Sequence, residues 1–360
     1  MQDRHRQSAD RRTTFSEAYP AFAIASLADI SRRAKVSITT ASRVLNGSKH
    51  PVSEKTRARV LAAAEELNYQ PSALARALVT RNSRIIGVIV GSIVDPYFAE
   101  IARGVEDVAG RMGYLTMVCN ADRHTEAELA HLQTLRDYRA AGVVFASSGY
   151  ADDEHGGELA HAVADLSERG STVVALAQRD FECLHAVVDN RAAAYDITDY
   201  VASLGHRRIA FVDGPDGLYT SALRRDGFEA AMRDAGLDPT LCFEGGFEYE
   251  AGYNAALRIM AAGPLPDAVV GVNDEVAIGV MSGLRQARVD VPAQVSIAGI
   301  DDTRPARFVE LTTVSVPLYE LGAVAARAIL ARSGDEQRPQ PNVLLPHRLT
   351  PRNTTARRPR

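Results

Sequence analysis

From Ile85 onward, short apolar runs alternate with amphipathic stretches of helical period, and this rhythm restricts the possible folds more than any other feature of the chain. IIGVIVGSI precedes a helical pattern over 98–112, LTMVCNA one over 125–139, and AGVVFAS one over 156–169, after which comes STVVALA. AVVDN and a helical pattern over 191–204 follow, and the rhythm resumes with RRIAFVDG, DAVVGVN and VSIAGID. Strand–helix alternation of this length calls for parallel sheets covered by helices on both faces. Two such series predict two doubly wound α/β lobes, with any ligand at the carboxyl ends of the strands.

The segment before this region has a different texture. Residues 1–25 are polar, arginine-rich and without periodicity, and are expected to be a disordered extension; an export signal is not expected, because Pro20 interrupts the one short apolar stretch. Ser26, Ser37 and Ser53 each stand where they can cap a helix. The helices they open carry Leu27, Ile30 and Ala34, then Ile38, Ala41, Val44 and Leu45 up to Asn46-Gly47, then Val60, Leu61, Ala64 and Leu67. Pro71 suits the first turn of a further short helix, SALARAL.

Charge divides the chain at the same place. Residues 1–84 hold 15 lysines and arginines against 7 acidic residues, all three lysines (Lys35, Lys49, Lys55) among them, although the whole chain is net −4. A positive head on a negative body implies that the head meets a polyanion. No stretch of about 18 apolar residues is present, so no membrane span is expected. Cys119, Cys183 and Cys242 lack metal-ligand spacing and are read as buried, reduced thiols of a cytosolic protein. There is no P-loop, no GxSxG, no HExxH and no GxGxxG opening a helix; GPDG at 214–217 is a turn. Neither an enzyme, a cofactor nor a metal site is therefore expected.

The strings AKVSITTASRVLN, VSEKTRARVLAAAEELNYQP and SALARAL resemble, in combination, the N-terminal segment of the lactose-repressor/galactose-repressor (LacI/GalR) family, and the resemblance extends over residues 26–355. It implies an all-α helix-turn-helix head domain over 26–70, a hinge helix and linker over 71–83, a periplasmic-binding-protein-like sensor with two doubly wound lobes over 84–347, and a C-terminal tail over 348–360. It further implies a homodimer that binds double-stranded operator DNA and a small sugar-like effector. Such a regulator works in the cytoplasm and joins the nucleoid when bound to DNA. No heptad run follows the C-terminal NTT, so a coiled-coil tetramer is not expected.

A helix starting at Ser37 presents Ile38, Thr39, Ser42 and Arg43 from its first two turns, where a recognition helix reaches base edges. Arg43 can fork onto guanine or rest on phosphate, and Ile38 can meet a thymine methyl or belong to the core. Thr40 and Ser42 suit phosphate contacts. Relatives commonly have glycine where Lys35 stands. The resemblance assigns Leu78 as a minor-groove wedge, with Ala75 and Arg76 facing the groove; read without it, Leu74 and Leu78 are an ordinary helix stripe.

For the effector, the resemblance assigns Arg224, Asn273, Asp301, Asp189 and Phe247, while Tyr97 and Phe98 follow the first strand and either stack on a ring or pack. Asp274 and Asp302 are assigned to capping. A carboxylate set with one arginine and a few aromatics fits a polyol or sugar. Relatives that bind purines carry a second arginine where Leu218 stands here, which weighs against a purine.

Overall fold

The computed structural model describes residues 25–45, 50–69, 83–331 and 342–358. They fall into two compact units, divided near residue 80.

The first unit holds α1 (Leu27–Ala34), α2 (Ile38–Leu45) and α3 (Glu54–Glu66). Ser26 and Asp29 form a reciprocal capping box at the start of α1. Ser37 accepts from the Thr40 amide at 3.1 Å, and Ser53 accepts from Thr56. The three serine caps are thus where the sequence places them. Ile30, Ala34, Ala41, Val44, Val60, Ala63 and Ala64 interlock as the core. The turn between α1 and α2 passes through Lys35 in the left-handed region, φ 51°. A Cβ in that conformation costs on the order of 1 kcal/mol, a cost that glycine would not carry.

The second unit runs β1 (Ile85–Val90), α4 (Pro96–Arg111), β2 (Leu115–Asn120), α5 (Thr125–Asp137), β3 (Gly142–Phe145), α6 (Gly156–Glu168), β4 (Thr172–Ala175) and β5 (Leu184–Val187). It continues with α7 (Asn190–Ser203), β6 (Ile209–Val212), α8 (Tyr219–Asp234), β7 (Cys242–Phe243), α9 (Tyr249–Ala261), β8 (Ala268–Gly271), α10 (Asp274–Gln286) and β9 (Ser296–Asp301). It ends with α11 (Arg304–Phe308), β10 (Thr312–Ser315), α12 (Leu318–Leu330), β11 (Asn342–Leu344) and β12 (Arg348–Thr350).

Two six-stranded sheets result, ordered β11-β5-β4-β3-β1-β2 and β12-β10-β9-β8-β6-β7. All neighbours are parallel except β10 and β12. Each sheet anchors one lobe, and the chain changes lobe after β5, after β10 and after β11. The strands that carry the lobe cores are mostly apolar, as burial on both faces requires: five of six residues of β1 are buried, and all six of β9, whose polar residues Ser296 and Asp301 stand at its two ends. In the first lobe α4 packs on α12 through a glycine pair. A Cβ on Gly104 would lie 2.0 Å from the Tyr319 carbonyl oxygen, and one on Gly322 2.0 Å from that of Ile101. Backbone cannot yield as a side chain can, so this approach requires glycine on both helices.

Two expectations need correction. Residues 348–358 are not a tail. β12 pairs with β10, and the buried Thr354 exchanges hydrogen bonds with Ile297 on β9. Arg352 bonds Asp302 at 2.5 Å, and Arg358 pairs with Asp267. The second lobe is completed by this segment, because an otherwise open sheet edge gains a strand. The cysteines are free thiols, but Cys119 and Cys183 are half-buried and Cys242 is exposed, since β7 is a two-residue strand at the edge of its sheet. Among the described residues no helix is long and apolar enough to cross a membrane, and no cluster of three metal-ligating side chains occurs.

Candidate DNA-reading helix and effector cleft

On α2, Ala41 and Val44 point into the core, so the 3.6-residue period turns Thr39, Ser42 and Arg43 to the other side, with Ile38 at the flank. Ile38 is 53% exposed, which removes the core alternative for this residue. Thr39 and Arg43 are exposed, and Thr40 and Ser42 are partly exposed. The Thr40 hydroxyl lies 2.8 Å from that of Ser37, within the helix cap. Ala75, Arg76 and Leu78 lie outside the described residues.

In the second unit, loops leaving the carboxyl ends of strands in both lobes converge on one cleft. The first lobe contributes Asp95, Tyr97 and Phe98 after β1, Arg123 after β2, Ser147 and Ser148 after β3, and Ala177 after β4. The second lobe contributes Leu218 and Thr220 after β6, Arg224 on α8, Phe247 after β7, Asn273 after β8 and Asp301 at the end of β9. The space between these side chains, with the open mouth included, is about 430 Å³. Backbone bonds join the lobes beside it: Ala151 donates to Gly217 at 2.8 Å, and Tyr219 to Gly149 at 3.1 Å.

Arg224 is the centre of the second-lobe wall. Its guanidinium is buried and donates to Asp301 at 2.7 Å, to the Val272 carbonyl at 2.7 Å and to Asn190 at 2.9 Å. It is thus both buried and paired. Three of its five N–H groups are used in this way, which fixes the plane of the fork. Asp301 has a φ of 124°, a strained backbone for a non-glycine residue, held by its place between β9 and the next turn. Burial pushes its carboxyl up to about 6, against the opposing pull of Arg224. Asn273 caps α10 by accepting from Val276, while its amide donates to the Phe247 carbonyl at 2.9 Å, so it orients the aromatic that faces the ligand space.

Asp189 does not line the cleft. It is exposed and caps α7 by accepting from Ala192 at 2.9 Å; its neighbour Asn190 is the residue that holds Arg224. Asp274 is fully buried and accepts from the amide and hydroxyl of Thr303 and from the hydroxyl of Thr313. Its carboxyl is raised well above the usual range by burial and by Asp301. Gly299 leaves it room, since a Cβ there would lie 2.6 Å from Asp274 Oδ1. Asp302 pairs with Arg352 and Arg307. Both aspartates are structural.

Besides the lining residues Ser147, Ser148, Ala177 and Thr220, the sequence reading lacks Asn190, Arg123, Glu128 and Arg179. Arg179 donates to both carboxylate oxygens of buried Glu128, at 2.6 and 2.7 Å, and to the Ser147 carbonyl at 2.9 Å. It rests 4.9 Å from the Phe145 ring centroid. This clamp fixes Ser147 in the first-lobe wall. Arg123 bonds Asp95 in its own lobe at 3.2 Å and Glu248 in the other lobe at 2.8 Å. Its guanidinium lies 5.9 Å from the Phe98 centroid and 5.0 Å from that of Phe247. A signal for Glu128 was present: with Leu132 and Leu135 it shares the i, i+4, i+7 stripe that α5 buries.

A three-helix head of helix-turn-helix form, together with a strand-end cleft between two doubly wound lobes, defines a ligand-responsive transcriptional regulator. The comparisons give the family. Residues 26–72 match the profile of bacterial regulatory proteins of the lacI family, and residues 198–355 match that of a periplasmic binding protein-like domain. The HTH-type transcriptional regulator RegA of Clostridium saccharobutylicum is 32% identical over 335 residues, 92% of this chain and 99% of that protein. Catabolite control protein A of Priestia megaterium is 32% identical over 332 residues, 91% of this chain and 98% of that protein. Among solved structures, the lac repressor dimer bound to operator and the anti-inducer ONPF superposes with a TM-score of 0.78 at 26% identity, covering 92% of this chain and 99% of that one. The complex of the transcriptional regulator CelR with cellobiose gives 0.66 at 26% identity, covering 92% and 99%. The chain belongs to the LacI family of DNA-binding transcriptional regulators, whose members are not enzymes.

Proposed function

We propose that this regulator is a homodimeric repressor whose affinity for a roughly palindromic operator is set by a sugar or related polyol held in the cleft. The observation that carries the reading is the convergence of strand-end loops from both lobes on one space lined by Phe98, Phe247 and the fixed Arg224–Asp301 pair. Aromatic walls with a few oriented polar groups suit the alternating C–H and hydroxyl faces of a sugar. The solved relative with cellobiose supports the ligand class, and the operator-bound lac repressor dimer supports the assembly. The edge strand β2 exposes Leu115 and Val118, an apolar surface suited to a second copy.

In this reading Ile38, Thr39 and Arg43 meet base edges, Thr40 and Ser42 meet phosphates, and Ala75, Arg76 and Leu78 act in the minor groove. Tyr97, Phe98, Arg224, Phe247, Asn273 and Asp301 form the effector site. A ligand that binds one lobe arrangement better than the other shifts the equilibrium between them, and DNA affinity shifts with it. Genomic footprinting with and without a panel of sugars tests this. Discrete protected sites that one sugar releases support it; sites that no sugar alters, or that a sugar strengthens, remove the inducible repressor.

A further inference from the structure

We propose that the cleft accepts an uncharged polyhydroxyl effector and discriminates against its phosphorylated counterpart, with Arg123 and its two carboxylate partners setting this preference. The proposal rests on the sugar reading above and narrows it.

An anionic ligand needs cationic donors that are not already neutralised. Among the described residues lining the cleft, the cations are Arg123 and Arg224. Arg224 faces Asp301 at 2.7 Å, both side chains nearly inaccessible to solvent. Arg123 is held from two sides, by Asp95 at 3.2 Å and Glu248 at 2.8 Å, and lies close to the rings of Phe98 and Phe247. A phosphate on Arg123 would set a dianion beside the two carboxylates that already neutralise this guanidinium.

The surrounding field adds to this cost. Glu275, in the first turn of α10, has a buried carboxylate oxygen with no hydrogen-bond partner. Burial raises its carboxyl, and Asp95, Asp301 and Glu250 add to the effect. Burial also raises Asp95, with Glu248 adding to that shift and Arg123 opposing it. Asp95, Glu248, Glu275 and Asp301 therefore outnumber the two guanidiniums. A hydroxyl is not penalised in such a field, because it both donates to carboxylates and accepts from N–H groups. The aromatic rings meanwhile offer apolar area to the C–H face of the same molecule.

Titration calorimetry of the full-length protein with matched pairs tests the proposal: glucose and glucose 6-phosphate, ribose and ribose 5-phosphate, cellobiose and its phosphate. The expected result is that a neutral member binds and its phosphate binds at least tenfold more weakly. Glu248→Gln releases one edge of Arg123 while keeping an acceptor for the Phe247 amide, which Glu248 now serves at 3.1 Å. In that variant the gap between the two members narrows several-fold. A phosphate that binds the unmodified protein as tightly as its parent sugar overturns this proposal and leaves the sugar reading standing. An unchanged ratio in Glu248→Gln overturns the role of Arg123. Failure of every compound to bind removes the sugar reading, and this proposal with it.

Discussion

The outward face of α2 and the wall of the cleft both consist of polar side chains with a few large apolar ones, yet they are built in opposite ways. On α2 the residues proposed to read DNA project from a short helix whose own core is Ala41 and Val44, and Thr39 and Arg43 stand in solvent. In the cleft almost every polar group is already engaged with protein: Arg224 with three partners, Asn273 with two, Ser147 through the Glu128–Arg179 clamp. A surface that reads DNA can rely on the duplex to order its side chains. A pocket for a small ligand must be ordered beforehand, because few ligand atoms are available to offset the loss of side-chain freedom.

The largest expected effect breaks the preorganised side. Arg224→Ala leaves Asp301 buried beside Asp274 without its counter-charge, and removing one partner of a buried pair costs about 3–5 kcal/mol. Urea unfolding should show that loss, and the ligand response should vanish with it; a variant of unchanged stability contradicts the central place of this pair. Protonation probes the same residue more gently. The folded chain holds the Asp301 proton up to about pH 6, whereas an unfolded aspartate releases it near ~3.9. Across that window the folded state binds more protons, so this carboxyl's contribution to stability falls as pH rises and levels off above it. Melting temperatures of Asp301→Asn should lack that part of the decline; parallel profiles for the variant and the parent refute the assignment.

Changes at α2 and the turn before it should be smaller: Arg43→Ala should leave stability alone, whereas Lys35→Gly should raise it slightly. Arg43→Ala is expected to cost about 1–3 kcal/mol of binding and to relax preference at one base pair of each half-site, read by selection from randomised duplexes. Uniform weakening with sequence preference intact would place Arg43 on phosphate instead. Lys35→Gly sharpens the contrast further. Relief of the left-handed backbone should stabilise the head by roughly 0.5–1 kcal/mol in thermal melts. DNA affinity should fall slightly if the ammonium meets phosphate, and its dependence on salt should become shallower.

The same contrast decides what could be read from the residues. Caps, helix period and apolar strands are local, so α1 to α3, the strand–helix order and the outward face of α2 follow from the chain alone. The cleft depends on which loops meet, and spacing along the chain does not encode that. Asp189 and Asn190 are adjacent, yet the first caps a helix and the second holds Arg224. Arg123 follows Asp122 through two left-handed residues, φ 53° and 60°, and no propensity signals that turn. Likewise, nothing local distinguishes 348–358 from a tail, because the value of that segment lies in the edge it covers.

The account depends on coupling between a cleft and a helix that belong to different units. The most direct test is fluorescence anisotropy of a selected operator duplex, titrated with protein in the absence of sugar and again with a sugar that calorimetry shows to bind. Coupling of 1–3 kcal/mol predicts a shift of about 5- to 150-fold in operator Kd, lost in a variant that no longer binds the sugar. An operator Kd that stays the same at saturating sugar would contradict the account.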